Sequence, residues 1–271
     1  MAAIRYESTF ISNNGWTYYM AIWDNNFSGT KREISIGTGG PVISYDSDSD
    51  DRFSPILASN CKVPIIIDNT LMQNWAKTLR TTYNEKDLYF HLYRAGSAAG
   101  ASGKTPLWSG YLLIDLSDEE DVSFPYEFSL TFTDGISLLK DRDFVPTTAV
   151  FPYTTSAEVF WGPAEITYWI KQILNYTGAA LTTQGAEADW SWKTCVDWYN
   201  KAHDNMDDDN DPLEQTKWKM NIFNTEQEDG NYIPPNCYEV MVEIMKVWGC
   251  RLVYWKHVYW IIQVPNLNTA E

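Results

Sequence analysis

Carboxylates are the commonest reactive side chains of this sequence, and three stretches concentrate them. Asp46, Asp48 and Asp50 alternate with serines and run into Asp51. Asp207, Asp209 and Asp211 repeat the alternation, while Asp115, Asp118, Glu119, Glu120 and Asp121 crowd the end of a strand-like run. Alternating acids supply the first ligands of an EF-hand loop, which also needs glycine at its sixth position and glutamate at its twelfth. Those positions hold Asp51 and Leu57 in the first stretch, and Pro212 and Trp218 in the second. Both are expected to be solvated acidic loops, with no metal and no other cofactor. The third stretch offers carboxylates for glycoside hydrolysis. That chemistry needs two carboxyls held at a fixed separation, one with a raised pKa. A run of acids after a strand resembles an exposed polar turn instead.

Other reactive groups are as sparse. No G-x-S-x-G elbow exists, and His91, His203 and His257 fall in a strand, an acidic loop and a hairpin turn without partners recognisable from sequence. No catalytic residue is expected. Cys61, Cys195, Cys237 and Cys250 show neither C-x-x-C nor zinc spacing, and are expected as buried free thiols made in a reducing cytoplasm. Gly37-Thr38-Gly39-Gly40 lacks the Lys-Ser/Thr of a phosphate loop and precedes Pro41, so it is expected to be a turn.

Composition narrows the classes further. The 271 residues include 36 Asp+Glu against 20 Lys+Arg, a formal charge of −16, yet 15% are aromatic, with 13 Trp and 17 Tyr. A hydrophobic fraction of 44% excludes a mainly disordered chain. The charge argues against a general nucleic-acid binder and against docking on an anionic membrane, and no sequence-specific nucleic-acid partner is expected. The start lacks the apolar region of a signal peptide, and no run approaches the roughly 20 apolar residues of a membrane span, so no membrane insertion is expected.

The elements that must position these residues fall into two kinds. The first half is β: strands at 4–11 and 16–23 flank Asn13-Asn14-Gly15, a hairpin signal, with short runs at 32–36 and 41–45 and an acidic loop at 44–51. A strand at 62–67 leads to Asp68, which can cap a short helix carrying Leu71, Trp75 and Leu79. Further strands are expected at 87–94 and 107–115. At 126–133, Tyr126, Phe128, Leu130 and Phe132 alternate with polar residues, so one face is buried. This pattern predicts an antiparallel barrel or sandwich over 1–145. The second half, 146–271, is expected as a smaller α+β domain, which makes the whole chain α+β. Ile166, Trp169, Ile170, Ile173 and Leu174 follow helical spacing after Pro163, with Gly178 as a stop. A second helix is expected over 189–202, an acidic loop over 204–211 and a strand over 217–223. Asn236 with Glu239 forms a near capping box for a helix whose face is Val240, Ile244, Val247 and Trp248, ended by Gly249. A hairpin, 250–255 and 258–264, closes the chain through Lys256-His257.

Two segments carry a likeness. Trp108-Ser109-Gly110-Tyr111-Leu112-Leu113-Ile114-Asp115 is followed by an aromatic alternating strand from Phe124 that ends Asp134-Gly135-Ile136-Ser137-Leu138-Leu139-Lys140. Later, the helical run from Cys237 ends at Trp248-Gly249 before a hairpin holding Trp260-Ile261-Ile262. In this order they resemble the tail-hub (baseplate hub, tail-tip or tail-associated) proteins of tailed bacteriophages and related prophages. Gly110 beside Trp108 lets a ring lie over bare backbone or marks a bulge. Asp134 can cap a helical turn that buries Ile136, Leu138 and Leu139. Trp108, Gly110, Tyr111, Asp134, Gly135, Leu139, Trp248 and Gly249 are thus structural motif residues.

The resemblance implies a small tube-like β-barrel followed by an α+β domain. It also implies a homotrimer at the distal end of the tail in the virion, contacting the tail tube or distal tail protein, the spike or fibres and the tape-measure protein. In that family two barrels per subunit make a pseudo-six-fold ring that adapts the tube to a spike; the second barrel has no counterpart here. A trimer would carry roughly −48 by formal count, and carboxylates facing a channel would repel passing DNA. Asp46, Asp48, Asp50 and Asp51, with Asp118, Glu119, Glu120 and Asp121, are then expected to face the lumen or a partner. An aromatic-rich carbohydrate-binding module of a virion or surface protein is the alternative. A tail glycosidase or peptidoglycan hydrolase would have to act through Glu119 or Glu120.

Overall fold

Strands dominate and helices are minor in the computed structural model, which describes residues 3–47, 54–84, 86–95, 104–114, 123–144, 163–177, 191–196, 211–223, 225–226 and 232–264. The chain divides into two compact units. One comprises 1–46, 58–134 and 255–257; the other comprises 47–57, 135–254 and 258–271.

The first unit is a meandering sheet. β1 (Ala3–Ile11) and β2 (Thr17–Asp24) form an antiparallel hairpin, as the Asn-Asn-Gly signal predicts, with Gly15 at φ +79°. β3 (Arg32–Glu33) runs parallel to β1, and β4 (Val42–Asp46) pairs antiparallel with β5 (Ile56–Ile67). β6 (Leu88–Ala95), β7 (Lys104–Leu112) and β8 (Tyr126–Thr133) complete the order β5-β8-β7-β6-β2-β1-β3. α1 (Thr70–Thr82) follows β5. Phe128, Leu130 and Phe132 of β8 are buried, as their alternation demands, opposite Ile65, Val63 and Cys61 of β5. Met20, Ile22, Phe90 and Leu92 extend this core across β2 and β6, and Tyr6 meets Trp75 of α1 edge-on at 4.7 Å. Skipping of Leu107 between the pairs Leu92–Trp108 and Tyr93–Pro106 places a bulge one residue before Trp108.

No closed barrel is found among the described residues. Among the described residues the ladder is open between β3 and β5, and a single isolated bridge, Ile36–Ile65, spans the gap. Ile66 N donates to Ser35 O and Gly37 N to Pro64 O, both at 2.9 Å. The reason is local. After two residues beside β1 the chain peels across to β5 and turns at Gly39 and Gly40, both at positive φ, before a full strand can form.

In the second unit the first two residues of β5, Ile56 and Leu57, pair in parallel with β14 (Cys250–Trp255), which neighbours β15 (Val258–Gln263). A two-residue strand, β9 (Ala164–Glu165), precedes α2 (Ile166–Asn175) and pairs with β11 (Lys217–Trp218). Ile166, Trp169, Ile170, Ile173 and Leu174 are all buried, as the spacing requires, but Pro163 lies outside the helix and Glu165 is its N-cap. The helix expected over 189–202 is instead strand β10 (Ser191–Cys195), parallel to β15, with residues 197–202 outside the described set. A long-range partner decides that stretch: all five residues pair with Val258–Ile262 of β15. Asp211 caps the short α3 (Pro212–Gln215), accepting from Leu213 N, and Thr194 donates to it. The strand expected over 217–223 gives way after Trp218 to a 3₁₀ turn, Met220–Phe223. β12 (Thr225–Glu226) and β13 (Tyr232–Ile233) pair, and then α4 (Cys237–Val247) begins with a complete capping box between Asn236 and Glu239. Cys237, Val240, Met241, Ile244 and Met245 form its buried face, whereas Val247, expected there, is exposed.

Candidate functional site

Trp108, Gly110 and Asp134 come together in the first unit around a residue the motif does not contain, Ser59 of β5. The Trp108 indole N–H donates to Ser59 Oγ at 2.9 Å. Ser59 Oγ and Ser59 N both donate to Asp134 Oδ2, at 2.9 and 2.6 Å, while Asp134 N returns a bond to Ser59 O at 3.1 Å. Trp108, Ser59 and Asp134 are each at most 1% exposed. A buried carboxylate is tolerable only where donors replace its water, and Ser59 supplies two of them. Asp134 therefore locks β5 to the end of β8. The 3₁₀ turn that follows (Ile136–Asp141) has Gly135 as its N-cap residue.

Gly110 fits this cluster by having no side chain. A Cβ there would sit inside the Thr133 carbonyl and the end of the Trp108 ring, so the ring does lie over bare backbone. Tyr111 points to the opposite face, buried, with its ring 4.8 Å from that of Tyr89, and burial pushes its hydroxyl pKa well above the ordinary phenol range.

Gly135, Leu139, Trp248 and Gly249 belong to the second unit, so the division falls between Asp134 and Gly135. Gly135 has φ +87°, and a Cβ on it would meet the Thr177 carbonyl. Both the dihedral and the space demand glycine. Leu139 and Ile136 are buried while Leu138 is half-buried. Beyond this turn, Cys237 N donates to Arg142 O at 2.7 Å and Phe144 N to Pro235 O at 2.8 Å, stitching it to the start of α4. Trp248 is the C-cap of α4, and Gly249, at φ +58°, ends the helix as expected.

Of the acidic residues, Asp46 is not in a loop: it is the last residue of β4, and its carboxylate accepts from Asn60 Nδ2 at 3.1 Å. Asp48, Asp50, Asp51, Asp118, Glu119, Glu120 and Asp121 lie outside the described residues, as does His203. No cluster of His, Cys, Asp and Glu able to hold a metal occurs among the described residues. Cys61, Cys237 and Cys250 are buried free thiols and Cys195 is half-buried. Burial first, and for Cys237 and Cys250 the nearby Asp143 and Asp211, push these three thiols up to about 12.

Sequence reasoning missed two clusters. Asp24 is fully buried, and its carboxylate accepts from Arg5 and from the Tyr83 hydroxyl, both at 2.8 Å. The Arg5 guanidinium lies 5.0 Å from the Phe27 ring centre and 5.5 Å from that of Trp75. The second cluster joins two histidines: His257 Nδ1 lies 2.8 Å from Ser109 Oγ, and the His91 and His257 ring centres are 6.2 Å apart. Lys256 and His257 both have positive φ, at 51° and 65°, so the hairpin turn is a type I′ built without Asn-Gly.

No protein-family model and no curated protein matches the sequence. Among solved structures the chain is similar to the 43 kDa tail protein of prophage MuSo2 from Shewanella oneidensis, at 10% identity and a TM-score of 0.35. The similarity covers 75% of this chain and 46% of that one, so the chain spans less than half the length of this distant prophage-tail neighbour.

Proposed function

We propose that the chain is a structural component of a phage tail, placed at the tail tip or baseplate hub, that acts by assembly and not by catalysis. The observation that supports this reading is the single buried cluster made by Trp108, Gly110 and Asp134, residues drawn from two separated motifs of the tail-hub pattern. A pattern whose members meet in space is a unit of architecture, and the later α4–hairpin segment follows in the same order. In the proposed assembly three copies form a ring at the distal end of the tail tube, between the tube or distal tail protein and the spike or fibres. The acidic segments at 46–51 and 118–121 face the lumen or the tube, where negative charge keeps DNA from adhering.

The test is the mass of the purified chain in solution, with electron micrographs alone and after mixing with the cognate tail-tube protein. A stable trimer, or rings capping tubes, is expected. A monomer at all concentrations that binds sugars on a glycan array overturns the reading in favour of a carbohydrate-binding module. A lytic zone on cell-wall substrate, lost in Glu119→Gln or Glu120→Gln, overturns the non-enzymatic part.

A further inference from the structure

Among the described residues β4 has one ladder, the antiparallel pairing with β5 that runs from Val42–Lys62 to Asp46–Ala58. The direction of its remaining main-chain groups follows from β5. Ser59 N and Ser59 O are both engaged with Asp134, on the β8 side. Hydrogen-bonded pairs alternate along an antiparallel ladder, so β4 bonds β5 through Val42, Ser44 and Asp46. The N–H and C=O groups of Ile43 and Tyr45 therefore point away from β5. Directly paired side chains share a face, which puts Ile43 and Tyr45 on the side of the buried Cys61 and Ser59. Tyr45 is nonetheless 42% exposed, and Val42, on the other face, 57%. An edge strand with exposed apolar side chains and an open row of donors and acceptors is a template for another strand. No lysine, proline or bulge within Val42–Asp46 blunts it.

We propose that β4 pairs antiparallel with β4 of a second copy of this chain, about a two-fold axis at Ser44. In that register Ile43 lies opposite the partner's Tyr45, and the outward N–H groups of both residues find carbonyls across the axis. An aromatic ring opposite a β-branched chain is a favourable cross-strand pair. On the other face Val42 lies opposite the partner's Asp46. Lys62, exposed on β5 beside Val42, is long enough to reach that carboxylate. Other registers are poorer. A parallel partner sets Asp46 against the partner's Asp46. A shift of two residues one way places Pro41, which has no N–H, opposite Tyr45, and a shift the other way halves the offset between the two Asp46 residues. The strand is thus complementary to itself in hydrogen bonding and in charge, which singles out a second copy as its occupant. The proposal is independent of the tail reading: alone the two-fold contact gives a dimer, and added to a three-fold ring it gives a hexamer.

Sedimentation of the full chain over about a hundred-fold range of concentration tests it, because a contact between two short strands belongs at the weak end of interface sizes. A dimer or a hexamer that grows in with concentration is expected. Ile43→Pro removes an N–H that faces away from β5, so the β4–β5 ladder is kept while the two-fold contact is lost. Far-UV circular dichroism and the urea midpoint show whether that variant keeps its fold. Lys62→Glu and Asp46→Lys, which touch no ladder bond, should each weaken the association about ten-fold, and the double variant should restore it. Within one chain Lys62 pairs beside Val42 and Asp46 lies at the other end of β4, so restoration reports a contact between copies. A monomer throughout, a trimer with no even-numbered species, or a two-fold species indifferent to the charge variants overturns the pairing. The trimer outcome leaves the ring standing, so the two proposals fail separately.

Discussion

Asp134→Ala probes the motif cluster most directly. The substitution removes the acceptor of two Ser59 bonds, at 2.6 and 2.9 Å, in a site with no measurable exposure of Asp134. Stranding the Ser59 N–H costs about 1–3 kcal/mol, and the charge-assisted hydroxyl bond is worth about 1.5–3 kcal/mol. Against this stands the desolvation of a carboxylate that no longer has to be buried, so a net loss of roughly 2–4 kcal/mol is expected. Urea unfolding followed by both far-UV circular dichroism and tryptophan emission measures it, the two signals being needed because two units need not unfold together. Ser59→Ala closes a double-mutant cycle, and a coupling of about 1–2 kcal/mol is expected between residues that share these bonds. A loss below about 0.5 kcal/mol for Asp134→Ala, or strict additivity in the cycle, would refute the claim that Asp134 clamps β5 to β8.

Three other substitutions read out separate parts of the fold. Arg5→Met leaves Asp24 buried with only neutral donors and should cost about 3–5 kcal/mol, seen as a lowered urea midpoint. Gly135→Ala should cost at least about 2 kcal/mol, whereas Gly15→Ala, also at positive φ but in open space, should cost about 1 kcal/mol; equal midpoints would deny the Thr177 contact. Asn236→Ala removes the capping box of α4 and should lower stability by about 1 kcal/mol in the same assay.

What the sequence disclosed follows the range of the forces involved. The strand at 126–133, the hairpin at 250–263 and the capping box at Asn236 were legible because alternation, chain reversal and capping are set by residues within a few positions. β10 was not, since its strand character comes from β15, more than sixty positions away. Val247 was assigned to the buried face of α4 by hydrophobicity, yet it is exposed, because the packed stripe of that helix runs through Cys237–Met245; in α1 the expected Leu71 is likewise exposed, and Met72, Trp75, Ala76 and Leu79 are buried. Asp68 looked like the cap of α1, but Asn69 accepts from Met72 N instead, one residue on. Asp134 was placed at the right junction, but its two bonds from Ser59 were not legible, because those donors sit on another strand. The same limit hid both Arg5–Asp24 and Ser109–His257, whose members are paired only by the fold.

The burial of the motif also decides what its likeness to tail hubs is able to mean. Trp108, Tyr111, Asp134 and Leu139 are each no more than 2% exposed, so in the folded chain none of them presents a face to a tube, a spike or a sugar. In the proposed assembly, contacts with neighbours would fall to other side chains, and the first unit offers Ile11, Trp16, Val42 and Tyr45 as large exposed apolar groups. A chain with the motif intact and these residues made polar should therefore fold unchanged while its assembly weakens. The reverse pattern, with assembly surviving and folding impaired, would place the tail contacts on a different surface from the one carrying these residues.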